Sequence, residues 1–196
     1  DQRIPVGRYD YFGVGGSFWG DKAGELDFAT LQGRLSLSYS KRMGGDRRSA
    51  HYLVLGADAG VTQRSVALYK ARYGTQHDGN GGYDGGLPTY EDFDQNSLLY
   101  PDLSAGLLWF SVFDENNNLY FGASYGHLNR ANVSFQSESF EAIYSKFTIH
   151  AGGEFMIADR LGLVPNAIVL MQGPSFELNV GTNLKFLLGG SKRTNQ

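Results

Sequence analysis

The chain has 196 residues, of which 41% are hydrophobic and 19% charged, with a formal net charge of −3 and no cysteine. This composition excludes a disulfide-stabilised scaffold and gives no basic surface for nucleic acid. Uncharged apolar runs stop near eleven residues, at 103–113 and 161–171. A transmembrane helix needs about 20 apolar residues, whereas a transmembrane strand needs only about 9–11.

The first third of the chain predicts three strands separated by polar turns. Residues 9–19 are rich in glycine and aromatic side chains, and residues 20–24 predict a turn after them. Residues 26–41 and 51–66 alternate between apolar and polar side chains, as expected for strands with two different faces. The polar, glycine-containing segment 42–49 predicts the turn between them.

The rest of the chain predicts five further strands, at 99–113, 119–128, 144–158, 161–171 and 175–188. Short turns at 114–118, 159–160 and 172–174 join some of them, and longer connections occupy 67–98 and 129–143. The pattern contains no helix of three turns, no strand–helix–strand alternation and no linker. We therefore predict one all-β domain over residues 1–196, with at least eight strands, each beside its sequence neighbours.

Residues 175–188 show the clearest two-faced pattern. The even positions, apolar apart from one threonine, are Phe176, Leu178, Val180, Thr182, Leu184, Phe186 and Leu188, and the odd positions begin Ser175, Glu177, Asn179, Gly181, Asn183 and Lys185. Fourteen residues exceed the usual strand length of about five or six. A long strand with charges in the middle of its polar face predicts an antiparallel up-and-down transmembrane β-barrel, apolar toward lipid and polar toward the lumen.

The aromatic spacing supports this prediction. Phe176 and Phe186 lie ten residues apart on one face, which projects to roughly 25 Å for a tilted strand, the height of a lipid-facing band between two aromatic girdles. Alternation alone also fits a soluble ligand-binding barrel, whose apolar face points inward. That alternative stays open at the level of sequence.

The polar faces of the strands carry the residues that we predict to line the lumen. They are Arg34, Asp58, Arg64, Lys146, His150, Glu154, Glu177 and Lys185. A charge pointing at lipid is expensive, so these side chains should pair or meet water. His127 instead follows the apolar positions Leu119 and Phe121, which predicts a place at the membrane interface.

Loop lengths predict the orientation of the barrel. In an up-and-down sheet alternate connections share one end, so residues 67–98 and 129–143 lie together, opposite the short turns near 42–49, 114–118 and 159–160. Outer-membrane barrels keep their long loops outside and their short turns in the periplasm. The long loops are therefore predicted to be extracellular.

The first long loop is acidic and glycine-rich and contains aromatic residues, which makes it the candidate surface for a partner. The residues predicted to contact that partner are Asp78, Tyr83, Asp84, Tyr90, Glu91, Asp92, Phe93 and Asp94. Carboxylates could also bind calcium, although the spacing is not that of an EF-hand. A solvated tether that contacts nothing is the alternative.

No motif predicts an enzyme, a metal site or a cofactor. Residues 15–19 fail the nucleophile-elbow pattern at the last position, and residues 13–18 lack the third glycine of a dinucleotide site. The four histidines are scattered, without the spacing of a zinc site. We therefore expect a non-enzymatic protein without a cofactor.

Short glycine-aromatic sequences along the chain resemble the PorP/SprF family of outer-membrane barrels, which belongs to the type IX secretion system of Bacteroidetes. They are FGVGGSFWGDKAG at 12–24, LYPDLSAGLLW at 99–109, LYFGASYGHL at 119–128, AGG at 151–153 and LGLVP at 161–165. The family usually has Pro-Ser where this chain has Pro165-Asn166. Its members also carry an opening segment and further strands that are absent here, so the resemblance implies a barrel incomplete at one or both ends.

The resemblance implies a place in the bacterial outer membrane and a role in secreting large surface proteins, such as gliding adhesins, or attaching them to the cell surface. The implied partners are other secretion-system proteins, a secreted surface protein or its C-terminal sorting domain, and outer-membrane lipid, with no nucleic acid. It implies no catalytic residues. A passive porin or small-solute channel is the alternative function.

Overall fold

The computed structural model describes residues 2–89, 95–136 and 138–187. These residues form one sheet of nine strands, in which every strand is antiparallel to its sequence neighbours. The strands are β1 (Gln2–Val6), β2 (Asp10–Ala23), β3 (Phe28–Gly44), β4 (Ala50–Ser65), β5 (Ser97–Val112), β6 (Asn118–Gly126), β7 (Lys146–Ala158), β8 (Leu161–Gln172) and β9 (Ser175–Phe186). Two single-turn 3₁₀ helices, Leu68–Lys70 and Gly74–Gln76, lie in the connection from β4 to β5.

The predicted all-β, antiparallel up-and-down order is confirmed, and each of the eight predicted strands is present. The short strand β1 is additional. The turn predicted at 20–24 is wrong, because β2 continues to Ala23 and pairs Gly20 with Leu31. The turn begins at Gly24, whose φ of 76° suits glycine. Asp21 and Lys22 had suggested a turn, but they end a long strand instead.

The sheet is polar on one face and apolar on the other. The ladder pairs Ser36 with Asp58 and Asp58 with Ser104, while Leu35 shares the opposite face with its ladder partner Ala59. The polar face curves around a cavity of 780 Å³. On the apolar face Leu35 is 70% exposed. We call these the inner and the outer face.

This facing decides between the two kinds of barrel that alternation allows. A soluble barrel places its apolar side chains inward. Here the fully or nearly fully buried side chains on the inner face are largely polar, as with Gln32, Thr62 and Asp102. The outer face presents large apolar side chains to the surroundings, including Phe18, Leu55, Leu99, Leu107, Leu178 and Val180. Such a surface is suited to lipid.

The two long loops lie at one end of the sheet, as the loop lengths predict, together with the short turn at 173–174, and the opposite end carries short turns only. At the long-loop end the two long loops touch each other, since Gln95 Nε2 donates to Ser134 O at 3.3 Å. The turn after β2 is part of the same end, because Ala67 N donates to Leu26 O at 2.8 Å. The short-turn end carries the connections at 7–9, 45–49, 113–117 and 159–160.

The described sheet is open, with β1 and β9 as its edges. Every residue of β9 is exposed, on the inner as well as the outer face. Among the described residues, no helix is both long enough and apolar enough to span a membrane.

The facing of the strands makes a direct test possible in the middle of β3. Leu35→Arg places a charge on the outer face and should destabilise the protein in lipid by about 2–4 kcal/mol at mid-bilayer depth. Ser36→Arg, its neighbour on the inner face, is the matched control and should cost far less. Urea titrations of both variants folded into lipid vesicles measure the difference, and equal losses would contradict the assigned faces.

Candidate functional site

The most buried charge on the inner face belongs to Asp102 of β5, whose side chain is only 1% exposed. Its carboxylate accepts hydrogen bonds from the guanidinium of Arg34 on β3 and from Gln32 Nε2 at 3.3 Å, and it lies 2.8 Å from His127 Nδ1. A buried carboxylate is stable only when paired and hydrogen bonded. Asp102 is therefore the centre of a polar cluster on this face.

Asp102 is missing from the residues predicted to line the lumen. The sequence does contain a pattern that indicates this position, because Tyr100, Asp102 and Ser104 occupy even positions of β5. All three side chains are buried in the structure. The apolar neighbours of Asp102 in sequence, Leu99 and Leu103, hide this alternation when the stretch is read as one apolar run.

Gln32 orients the cluster from β3, the strand that also carries Arg34. Its Oε1 accepts a hydrogen bond from Trp19 Nε1 at 2.7 Å, and its Nε2 donates to Thr62 Oγ1 at 2.7 Å as well as to Asp102. One amide thus links β2, β3, β4 and β5. Both polar ends of the Gln32 amide thus find partners, which fixes the orientation of this side chain.

Arg34 reaches Asp102 by crossing strand β4, which lies between them. The residue beside Arg34 on β4 is Gly60, and a Cβ there would come within 2.6 Å of Arg34 Cγ. Arg34 also donates from Nη1 to Ser104 Oγ at 3.1 Å. The same Cβ would come within 2.5 Å of Gly33 O, so both the backbone of β3 and the passage of the arginine require glycine at position 60.

His127 was predicted at the membrane interface, and this prediction is wrong. The residue follows the end of β6 and adopts a φ of 56°, so the strand alternation no longer applies to it. Its ring turns to the inner face and lies against Asp102, with 14% of the side chain exposed. The pairing ties the start of the second long loop to β5.

Asn129 adds a second tie between the same loop and β5. Its Nδ2 donates to Pro101 O at 2.7 Å, and its Oδ1 accepts from Leu103 N at 3.2 Å. The β5–β6 ladder covers only β5 residues 105–112, so a side chain replaces the missing strand here. Pro101 fits this position because proline has no N–H to pair.

All eight residues predicted to line the lumen lie on the inner face by the register of the ladders. The structure brings some of them together with partners. Lys185 Nζ lies 2.5 Å from Glu154 Oε1, and the guanidinium of Arg64 lies 5.8 Å from the Tyr100 ring. The others occupy separate positions: Asp58 and Lys146 line the cavity, His150 packs on Tyr120 at 5.7 Å, and Glu177 accepts from Asn179 at 2.7 Å.

The first long loop is organised around the buried side chain of Gln76. Its Nε2 donates to Leu87 O at 3.1 Å and its Oε1 accepts from Tyr83 Oη at 3.1 Å. Asp78 Oδ1 accepts the backbone N–H groups of Asn80 and Gly82 at 2.8 Å. Hydrogen bonds of its own side chains thus connect the two halves of this part of the loop.

The remaining residues predicted to contact a partner divide into two groups. Asp84 holds a turn, since its Oδ1 accepts from Gly86 N at 2.8 Å. Tyr90, Glu91, Asp92, Phe93 and Asp94 lie outside the described residues. Across 2–89, 95–136 and 138–187, no group of three or more acidic or histidine side chains could hold a metal ion.

The sequence match agrees with this architecture. Residues 3–196 match the model of a family described as type IX secretion system membrane protein PorP/SprF. The chain belongs to the PorP/SprF family. No curated protein matches the chain. No solved structure matches it either.

Membership makes the protein an outer-membrane component of the type IX secretion system of Bacteroidetes, a machinery built from several proteins. An apolar outer face and a polar inner face are the surface properties expected of a β-sheet in the outer membrane. PorP/SprF is a family of secretion-system membrane components and not a family of enzymes.

Loss of the Asp102 charge tests the cluster. Asp102→Asn leaves the Arg34 guanidinium without its counter-charge and should lower the free energy of unfolding by about 3–5 kcal/mol. Asp58→Asn is the control, because Asp58 forms no ion pair within the part of the chain that the structure describes. Urea unfolding in detergent measures both.

The double variant Arg34→Met with Asp102→Leu separates pairing from burial. Removing both charges should cost less than Asp102→Asn alone, because no uncompensated charge remains. If Asp102→Asn and Asp58→Asn unfold at the same urea concentration, the pair does not stabilise the inner face.

Proposed function

We propose that the protein assists the secretion or cell-surface attachment of a large surface protein such as a gliding adhesin, and that its long-loop end is the docking surface. The observation that carries this is the joining of both long loops at one end of the sheet. In an outer-membrane barrel the end with long loops faces outward. A partner that emerges at the cell surface meets this end first.

The second long loop has a folded base that presents aromatic side chains outward. Asn132 pairs with Ala142, Ile143 N donates to Ala131 O at 3.0 Å, and Ile143 is buried. Beside this base, Phe140 is 74% exposed. Exposed aromatic rings on a fixed support are typical of contact surfaces between proteins.

The first long loop contributes acidic and aromatic groups to the same surface. Tyr69 is 84% exposed, and Tyr83 is exposed at one edge while Arg72 covers its ring at 5.1 Å. Asp78 and Asp84 each use one carboxylate oxygen to hold a turn. The second oxygen of each remains the group that we propose meets the partner, together with residues 90–94.

The ion pairs at the base of this loop keep it close to the sheet. Lys70 Nζ lies 2.6 Å from Asp27 Oδ2, and Lys22 Nζ lies 3.2 Å from Asp27 Oδ1. The Lys70 ammonium, followed by that of Lys22, lowers the pKa of Asp27. The pairing is therefore present at neutral pH and is lost only as the pH falls through that lowered pKa.

A passive porin is the second candidate, and the inner face supplies the observation that bears on it. A porin needs an open lumen, and polar side chains of the inner face, among them Gln32, Arg34 and Asp58, line a cavity of 780 Å³. Single-channel conductance separates the two functions. A steady open pore supports the porin, and a closed barrel that co-purifies with secretion proteins supports the first proposal.

Shortening the first long loop tests the docking surface. Replacement of residues 76–92 by a glycine-serine linker should leave barrel assembly intact, because the hydrogen bonds of Gln76 stay within residues 73–87. The surface-displayed cargo should fall several-fold, as measured by antibody labelling of whole cells. Phe113→Ser, an exposed aromatic residue in the turn after β5 at the short-turn end, is the control and should not change display.

Trypsin added to whole cells checks the orientation on which this proposal depends. Cleavage is expected after Lys70 or Arg72, both exposed in the first long loop, and not after Arg47 or Arg48. Cleavage at 47–48 would show that the barrel is inverted. Normal display by the shortened protein would show that the loop is a tether only.

We also propose that the edges of β1 and β9 are paired in the membrane by strands beyond the nine described. Lipid offers no hydrogen bonds, so a free sheet edge is not tolerated within it. Eight antiparallel steps separate β1 from β9, so these strands run in the same direction and an antiparallel closure requires an additional strand. Amide hydrogen exchange of the protein in lipid nanodiscs should show protection at the outer edge of β9, and rapid exchange there would contradict the proposal.

A further inference from the structure

The short-turn end carries a concave, basic pocket on the side of strands β1 to β3. The pocket has a volume of 870 Å³ and lies between the turn at 7–9 and the turn at 45–49. Its lining combines apolar side chains with arginines: Val6, Tyr9 and Met43 beside Arg8, Arg42 and Arg47. We call it the rim pocket.

Arg42 builds the wall of the rim pocket. Its guanidinium lies 4.6 Å from the centre of the Tyr9 ring, and its Nη2 donates to Asp46 O at 3.2 Å. Its backbone N–H donates to Asp10 Oδ1 at 3.0 Å. Gly45, with a φ of 122°, allows the turn to close tightly, because a Cβ there would come within 2.8 Å of Ala50 Cα. These hydrogen bonds and the tight turn at Gly45 therefore define the shape of the pocket.

Both acids beside the pocket are occupied within the fold. Asp10 accepts from Tyr39 Oη at 2.8 Å and from the backbone of Arg42. Asp46 accepts the N–H groups of Arg48 and Ser49 at 2.9 and 3.0 Å, and these bonds lower its pKa. Asp46 is therefore ionised at neutral pH and is bound to its own turn.

The arginines are left without carboxylate partners. Within residues 2–89, 95–136 and 138–187, no ion pair is formed by Arg8, Arg47 or Arg48. Arg8 and Arg42 both contact the Tyr9 ring, with the guanidinium of Arg8 at 5.6 Å from the ring centre. The pocket thus presents unneutralised guanidinium groups above exposed apolar residues.

We infer that the rim pocket binds the headgroup of an anionic phospholipid of the periplasmic leaflet. Guanidinium groups bind phosphate oxygens in pairs of hydrogen bonds. Ile4, Val6 and Met43, all exposed, continue the pocket toward the lipid-facing side and match an acyl chain. Tyr9 and Tyr39 add the aromatic side chains found at membrane interfaces. An acidic protein segment would match the charges but not the exposed apolar residues beneath them.

The inference places the short-turn end at the periplasmic leaflet, and otherwise does not depend on the cargo or on the docking surface. It makes the rim pocket a lipid anchor for one side of the sheet. Lipid retention by purified protein is measured without secretion, so either proposal can fail while the other stands.

Native mass spectrometry of the whole protein in non-ionic detergent tests the inference, with added phosphatidylglycerol as the probe. The wild-type protein should retain one phosphatidylglycerol in preference to zwitterionic phosphatidylcholine. In Arg8→Gln with Arg47→Gln the retained fraction should fall by about fivefold for each arginine removed. Arg72→Gln with Arg130→Gln, two exposed arginines at the long-loop end, is the matched control and should retain lipid as the wild type does.

Two further arms separate a lipid from a free phosphate. Met43→Ser keeps every charge and should weaken retention if an acyl chain lies on this side chain, since Met43 is exposed and its loss should not affect folding. Millimolar inorganic phosphate should not displace the lipid. Unchanged retention in the arginine variant, unchanged retention in Met43→Ser, or displacement by inorganic phosphate would each overturn the inference.

Discussion

The constraint on which this structure depends is that lipid cannot hydrogen bond a peptide group. Each backbone N–H and C=O in the bilayer must find a partner in a neighbouring strand. The chain meets this with long strands that pair in sequence order, up to the seventeen residues of β3. Short turns are sufficient at one end because each strand needs only to reverse. Most residues that do not belong to strands lie in the long loops at the other end.

Because each strand pairs with its sequence neighbours, the register of the ladders fixes which side chains share a face of the sheet. The face on which a side chain lies then decides whether a charge is tolerated there. A strand has two sides, so a sheet with lipid outside must direct its charges inward. Once inward, they must be paired, because a buried carboxylate without a partner is costly. Asp102 therefore contacts Arg34 and Gln32 of β3 and His127 of the loop after β6. The same requirement makes Gly60 small, so that an arginine can cross a strand.

The alternation of side chains was enough to predict eight strands and which side chains share a face, because these depend on neighbours two residues apart; which face points inward came from the structure. It failed where the alternation stops. His127 leaves the strand with a positive φ and turns inward, which no count of positions could show. Asp21 and Lys22 looked like a turn, yet they end a strand. Asp102 was not predicted because Leu99 and Leu103 make its strand resemble one apolar run, and because its partner Arg34 lies 68 positions away in sequence.

The two ends of the sheet differ in how their polar groups are used, and this difference separates their roles. At the long-loop end, side chains such as Gln76 and Asn132 bind their own loops and leave exposed aromatic rings above them. At the short-turn end, Asp10 and Asp46 are bound internally and leave exposed arginines. The two ends share one feature. Polar side chains that shape a turn form their hydrogen bonds within that turn, and the side chains that do not take part in these bonds face outward. Aromatic rings and carboxylates left over suit a protein partner, whereas arginines beside apolar side chains suit the surface of a membrane.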